Sequence, residues 1–116
     1  MEIQRFDSTG RYSRVVCHNG VLYLSGVTMA SAGESVEEQT KAVLARIEEL
    51  LEAHGSDKEH MLSTTIYLKD IADFNGMNSV WDPWVAKGKE PARACVEARL
   101  ATDSIKVEMS VIAAVK

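Results

Sequence analysis

Two stretches in the last quarter of the chain alternate residue by residue, and a period of two restricts them to β-strands. In the segment 91–100, Ala92, Ala94, Val96, Ala98 and Leu100 fall on one face, and Arg93, Cys95, Glu97 and Arg99 on the other. The first face is small and apolar, as a sheet packed under helices requires. The second carries two guanidinium groups, a thiol and a carboxylate. It has two readings. It is a solvated face in which Glu97 pairs with an Arg, or it is the wall of a cleft in which Arg93, a planar and permanently charged fork, holds a carboxylate.

The segment 106–115 alternates in the same way. Val107, Met109, Val111, Ala113 and Val115 form an apolar face; Lys106, Glu108 and Ser110 lie opposite, before Ile112 and Ala114 make that side apolar too. Only the short stretch 101–104 separates the two runs, which predicts a hairpin. Pairing their apolar faces would bring Glu108 to the same side as Arg93 and Cys95.

The rest of the chain supplies three more strands, two helices and one further strand before this pair. Residues 2–7 read as a short strand, with Ile3 and Arg5 on one face, followed by the turn Ser8-Thr9-Gly10. Residues 14–18 and 21–26 are joined through Asn19-Gly20, the strongest short hairpin signal. The second of these is apolar on both faces, which predicts a buried central strand. Gly26 after Ser25 permits a close backbone approach.

Small residues fill the loop 27–34. Ser35-Val36-Glu37-Glu38 then forms a capping box, opening a helix over about 36–54. Val36, Val43, Leu44, Ile47, Leu50 and Leu51 make its apolar stripe, and Gly55 stops it. Residues 61–68 are β-branched and read as a strand. Asp70 is a good N-cap for a second helix, along which Ile71, Phe74, Met77, Asn78, Trp81 and Val85 keep helical spacing until Pro83 kinks or ends it. Trp81 and Trp84 read as packing residues, and Cys17 has only a core reading.

This order, β-β-β-α-β-α-β-β, predicts an α+β two-layer sandwich: a mixed six-stranded sheet with two helices of similar size on one face. The other face would be bare and partly apolar, which favours self-association. With 116 residues the chain, 1–116, makes one domain. A formal net charge of −4 disfavours nucleic acid as a partner. No apolar run approaches a membrane span, and the first residues lack a secretory pattern. Cys17 and Cys95 have neither disulfide-framework nor metal-ligand spacing, and His18, His54 and His60 are scattered. A cytoplasmic protein with reduced thiols is expected.

Several motifs together carry a resemblance: Leu24-Ser25-Gly26, Lys69-Asp70-Ile71-Ala72-Asp73-Phe74 with Asn78, Pro91-Ala92-Arg93-Ala94-Cys95-Val96, and Val107-Glu108. In this order they resemble the Rid (YjgF) family of imine and enamine deaminases, over nearly the whole chain. The resemblance implies a chorismate-mutase-like fold and a homotrimer, with the three sheets forming a central barrel and three clefts between subunits. It implies hydrolysis of reactive 2-imino or 2-enamino acids to 2-oxo acids and ammonia, without a cofactor. By position, Arg93 would clamp the substrate carboxylate, the backbone of Cys95 would meet the imine nitrogen region, and Glu108 would orient the attacking water. Tyr12, Ser25 and Gly26 would line the cleft, with Asn78 close by.

The sequence departs from the family pattern at three places. Val27 follows Ser25-Gly26 where many deaminases have Gln, Ala94 stands where Ser or Thr is frequent, and the second helix carries Trp81-Asp82-Pro83-Trp84-Val85. These imply a divergent branch. The alternative function is a trimeric module that binds small carboxylates without turnover.

Overall fold

The computed structural model describes residues 2–116. Strands β1 (Gln4–Ser8), β2 (Ser13–His18) and β3 (Val21–Leu24) form an antiparallel meander. Asn19 and Gly20 join β2 to β3 with φ of 53° and 75°. Both values are positive, as a type I′ turn demands, and Asn-Gly is the dipeptide that tolerates them. Helix α1 (Val36–Ala53) follows, then β4 (Met61–Leu68), α2 (Phe74–Trp84), β5 (Ala92–Glu97) and β6 (Val107–Ala114). Three single turns of tighter helix, Ala30–Ala32, Lys58–His60 and Ile71–Asp73, punctuate the connections.

The capping box at the start of α1 is complete: the Ser35 hydroxyl accepts the Glu38 amide, and the Glu38 carboxylate accepts the Ser35 amide. Such a cap contributes about 1 kcal/mol. All six residues of the expected apolar stripe are buried, and Gln39 and Thr40 are buried with them. Asp70 caps the turn Ile71–Asp73, accepting the Ala72 amide, and α2 begins only at Phe74. Pro83 falls in the last turn of α2, which ends one residue later. With 18 and 11 residues, the helices differ more in length than the sequence suggests.

The sheet has six strands in the order β1-β2-β3-β6-β4-β5, and only the β4–β5 pair is parallel. This corrects the hairpin expected between 91–100 and 106–115. β6 is antiparallel to both β3 and β4, whereas β5 reaches the far side of β4 by way of α2. The short connector 101–104 crosses from the sheet edge instead of turning back upon it.

Both helices cover one face. Val15, Leu22, Leu24, Ile66, Leu68, Val107, Met109 and Val111 pack beneath α1 and α2. The other face is bare, and Tyr23 and Val96 are each 44% exposed on it. β3 is therefore central in order but buried on one side only. Among the described residues, no helix is long and apolar enough to cross a membrane.

Candidate functional site

Arg93 lies in register with Thr64 of β4, which pairs in turn with Val111 of β6; both are buried beneath the helices. Arg93 therefore projects from the edge strand toward α2, and the face with Ala92, Ala94 and Val96 is the bare one. This reverses the assignment made from the small apolar residues. Helix α2 meets Arg93 with Phe74, Asn78 and Trp81, spaced to lie along one side of a helix. The guanidinium donates from Nη1 to Asn78 Oδ1 at 2.7 Å. Its central carbon stands 5.3 Å from the Trp81 ring centre and 5.8 Å from that of Phe74. Cation–π contacts and a neutral amide orient the group without cancelling its charge. Among the described residues Arg93 has no carboxylate partner in an ion pair.

Glu97 does not serve that purpose. Its Oε1 accepts the Ile71 amide at 2.9 Å and so pins the turn leading into α2. Cys95 shares the face of Arg93, is paired with fully buried Ile66, and packs against the core. Burial pushes its thiol above the ordinary range, and Arg93 only partly counters this. The thiol is thus protonated at neutral pH, a poor nucleophile.

Glu108 belongs to the opposite face. Its strand turns Val107, Met109, Val111 and Ala113 toward the helices, and Glu108 stands in register with Tyr67, which is in register with Val96. The carboxylate lies directly on Gly26: a Cβ added there would come within 2.1 Å of Glu108 Oε2. Only glycine permits that approach. The next residue, Val27, exchanges two backbone hydrogen bonds with Met109, at 2.8 and 3.1 Å, fixing the loop against β6. The result is an open recess of about 430 Å³ lined by Tyr12, Ser25, Gly26, Thr28, Ala101, Ile105 and Glu108.

The structure therefore gathers the expected residues into two groups. Tyr12, Ser25, Gly26 and Glu108 share the recess; Arg93, Cys95 and Asn78 share the edge beside α2. The two groups lie on opposite faces of one sheet, so Arg93 and Glu108 do not meet within a chain as the hairpin reading required. The supporting roles of Phe74, Trp81 and Glu97 went unrecognised in the sequence. The helical spacing of Phe74, Asn78 and Trp81 was visible, but the strand they would face was not. Among the described residues no cluster of His, Cys, Asp and Glu could hold a metal ion.

The chain is thus a two-layer α+β domain with one bare sheet face, an arginine at the edge strand and a glutamate on the bare side. The endoribonuclease L-PSP family model matches residues 2–115. A RutC family protein of Escherichia coli K12 is 44% identical over 115 residues, spanning 99% of this chain and 100% of that one. The solved structure of a YjgF family member from Neisseria meningitidis superposes with a TM-score of 0.97 at 49% identity, covering 100% of this chain and 97% of that one. The chloroplastic Reactive Intermediate Deaminase A of Arabidopsis thaliana is 34% identical over 110 residues, 90% of this chain and 58% of that protein. The chain belongs to this family, known also as YjgF/Rid.

Proposed function

We propose that the protein hydrolyses reactive 2-imino and 2-enamino acids to 2-oxo acids and ammonia, as a homotrimer whose clefts lie between neighbouring chains. The observation that carries the reading is Arg93: a guanidinium oriented by Asn78, Trp81 and Phe74 and bonded to no carboxylate among the described residues. That is the arrangement needed to take a planar carboxylate by two parallel hydrogen bonds. Family membership and the deaminase name of the Arabidopsis relative support the same chemistry.

The chemistry asks little of the protein. Once protonated on nitrogen, an imine is electrophilic at C2. Arg93 holds the carboxylate, and the backbone near Cys95 contacts the nitrogen. Glu108 orients a water and accepts its proton as the oxygen bonds to C2. The resulting 2-amino-2-hydroxy acid takes that proton on nitrogen; Glu108, again ionised, accepts the hydroxyl proton as the C–N bond breaks, so that ammonia leaves and the 2-oxo acid remains. No cofactor is needed for these steps.

Because Arg93 and Glu108 stand on opposite faces, a cleft that uses both requires two copies of the chain. The bare face suits such an assembly: Ala92, Ala94, Val96, Tyr23, Ile112 and Ala114 give it small and apolar surface. Burying it would also dry the cleft, where a charge-assisted contact is stronger than in water. The same reading puts the protein in the cytoplasm, where the unbridged thiols of Cys17 and Cys95 stay reduced.

The separation of the two groups also motivates the other reading, carboxylate binding without turnover. A chain that kept the Arg93 edge but did not complete the Glu108 recess would capture and not hydrolyse. A net charge of −4 makes RNA a poor substrate despite the family model's description. A coupled assay decides the matter: 2-iminopropanoate is generated in situ and its loss is followed along a dilution series monitored by light scattering. Acceleration that tracks the trimer is expected; a fully active monomer would refute the assembly, and tight binding with no acceleration would establish the alternative.

A further inference from the structure

Gln39 bonds both loops that wall the Glu108 recess, and it does so from inside the protein. It lies three residues after Val36 on the buried stripe of α1, a position that packing alone would fill with an apolar side chain. It is 0% exposed. Its Nε2 donates to the Gly33 carbonyl at 2.9 Å and to the Ser104 carbonyl at 2.9 Å. Its Oε1 accepts the Lys106 amide, again at 2.9 Å. Both donor hydrogens and the oxygen of the amide are in use.

These partners are not scattered. Gly33 closes the loop that begins at Ser25-Gly26, one wall of the recess. Ser104 and Lys106 end the loop that contributes Ala101 and Ile105, the other wall. Lys106 immediately precedes β6, of which Glu108 is the second residue. The Lys106 carbonyl also accepts the Lys69 amide at 3.0 Å, so this residue is tied on both sides. The bonds of Gln39 thus fix the spacing of the two walls and the start of the strand that carries Glu108. Gln39 itself lines no part of the recess.

We infer that Gln39 is a positioning residue of the reaction: a buried amide clamp that sets where the Glu108 carboxylate stands without meeting substrate. This rests on the reading of Glu108 as the group that holds the attacking water. An apolar residue of equal size would keep the packing of α1. It would leave two carbonyls and one amide unpaired, and the walls would part to hydrate them. Arg93, held by α2 on the other face, would be untouched. The clamp therefore acts on water placement and not on carboxylate capture.

The test is Gln39→Met, shown by light scattering to assemble as the wild type does, with 2-iminopropanoate as substrate. We expect kcat to fall about 10- to 100-fold, the scale of a misplaced catalytic group. KM should stay within about twofold, because carboxylate binding is spared. In a Glu108→Gln background the same change should lower kcat by less than about twofold, since the two residues act as one unit. A rise in KM matching the fall in kcat, or an equal loss in both backgrounds, overturns the inference.

Should Gln39→Met not fold, Gln39→Glu keeps the shape and the acceptor for Lys106. It sets a carboxylate against two carbonyls, so its kcat should fall further, reversibly, as the pH rises and that carboxyl ionises. Failure of both variants to fold overturns the inference, because the residue is then structural alone. A wild type without hydrolysis overturns the proposed function and this inference together; an active wild type with an unaltered Gln39→Met overturns the inference alone.

Discussion

The two halves of the proposed site are built by different means. Around Arg93 the work is done by side chains on a helix: Asn78, Trp81 and Phe74 hold one long, flexible group by its edge and its faces. Around Glu108 it is done by the main chain: Gly26 lies under the carboxylate, and the Val27–Met109 pair ties the loop down. The difference teaches where each half is vulnerable. The Arg93 edge depends on the chemistry of the side chains present, and the Glu108 recess on the absence of one.

The largest expected effect tests whether the halves belong to different chains. Arg93→Ala and Glu108→Ala chains are each expected to be inactive. Co-expressed under separate tags and purified as mixed trimers, they should recover about a third of wild-type activity, since each mixed trimer holds one cleft of three with both groups. No recovery would show that the two residues do not serve one shared cleft and would break the comparison.

Within the Arg93 edge, Arg93→Lys keeps the charge and loses the fork. We expect kcat/KM for 2-iminopropanoate to drop about 100-fold, because a lysine cannot make the paired contact. Steady-state kinetics showing a drop smaller than about fivefold would mean that charge alone suffices there.

Gly26→Ala tests the other half. The added methyl must displace the Glu108 carboxylate, so kcat should fall about tenfold with KM little changed. A crystal structure of the variant with Glu108 unmoved would show that the approach is incidental. The smallest effect is expected from Cys95→Ala. Its thiol is kept neutral by burial, so activity should stay within about threefold and alkylation should be slow near neutral pH. An inactive yet assembled Cys95→Ala would reveal thiol chemistry instead.

What could be read from the sequence was what short segments settle by themselves. The Ser35–Glu38 box, the Asn19-Gly20 turn and the β-branched run Met61–Leu68 all stand where the residues put them, because each is decided within a few positions. Strand pairing is not decided so locally. The brief connector 101–104 suggested a hairpin, but α2 carries the chain across so that β5 pairs in parallel with β4.

The choice of face failed for a related reason. Alternation separates Ala92, Ala94 and Val96 from Arg93 and Cys95, but both faces of this sheet are partly apolar, so period alone could not say which meets the helices. Family resemblance named Arg93, Glu108, Tyr12, Ser25 and Asn78 as members of one site, and it could not divide them into two. Gln39 left a trace: a polar residue on the apolar stripe of α1, accommodated there because its amide is fully bonded.

The place of β6 has a consequence for how the protein comes into being. It is synthesised after every other strand, yet it stands between β3 and β4 in the sheet. Without it the sheet divides into the meander β1-β2-β3 and the pair β4-β5, with no strand pairing between them. Val107, Met109, Val111 and Ala113, the buried side of β6, are what join these units into a single core. Folding must wait for that last insertion. Until then the edges of β3 and β4 that β6 fills have no partner in the chain, the kind of edge that pairs with other chains.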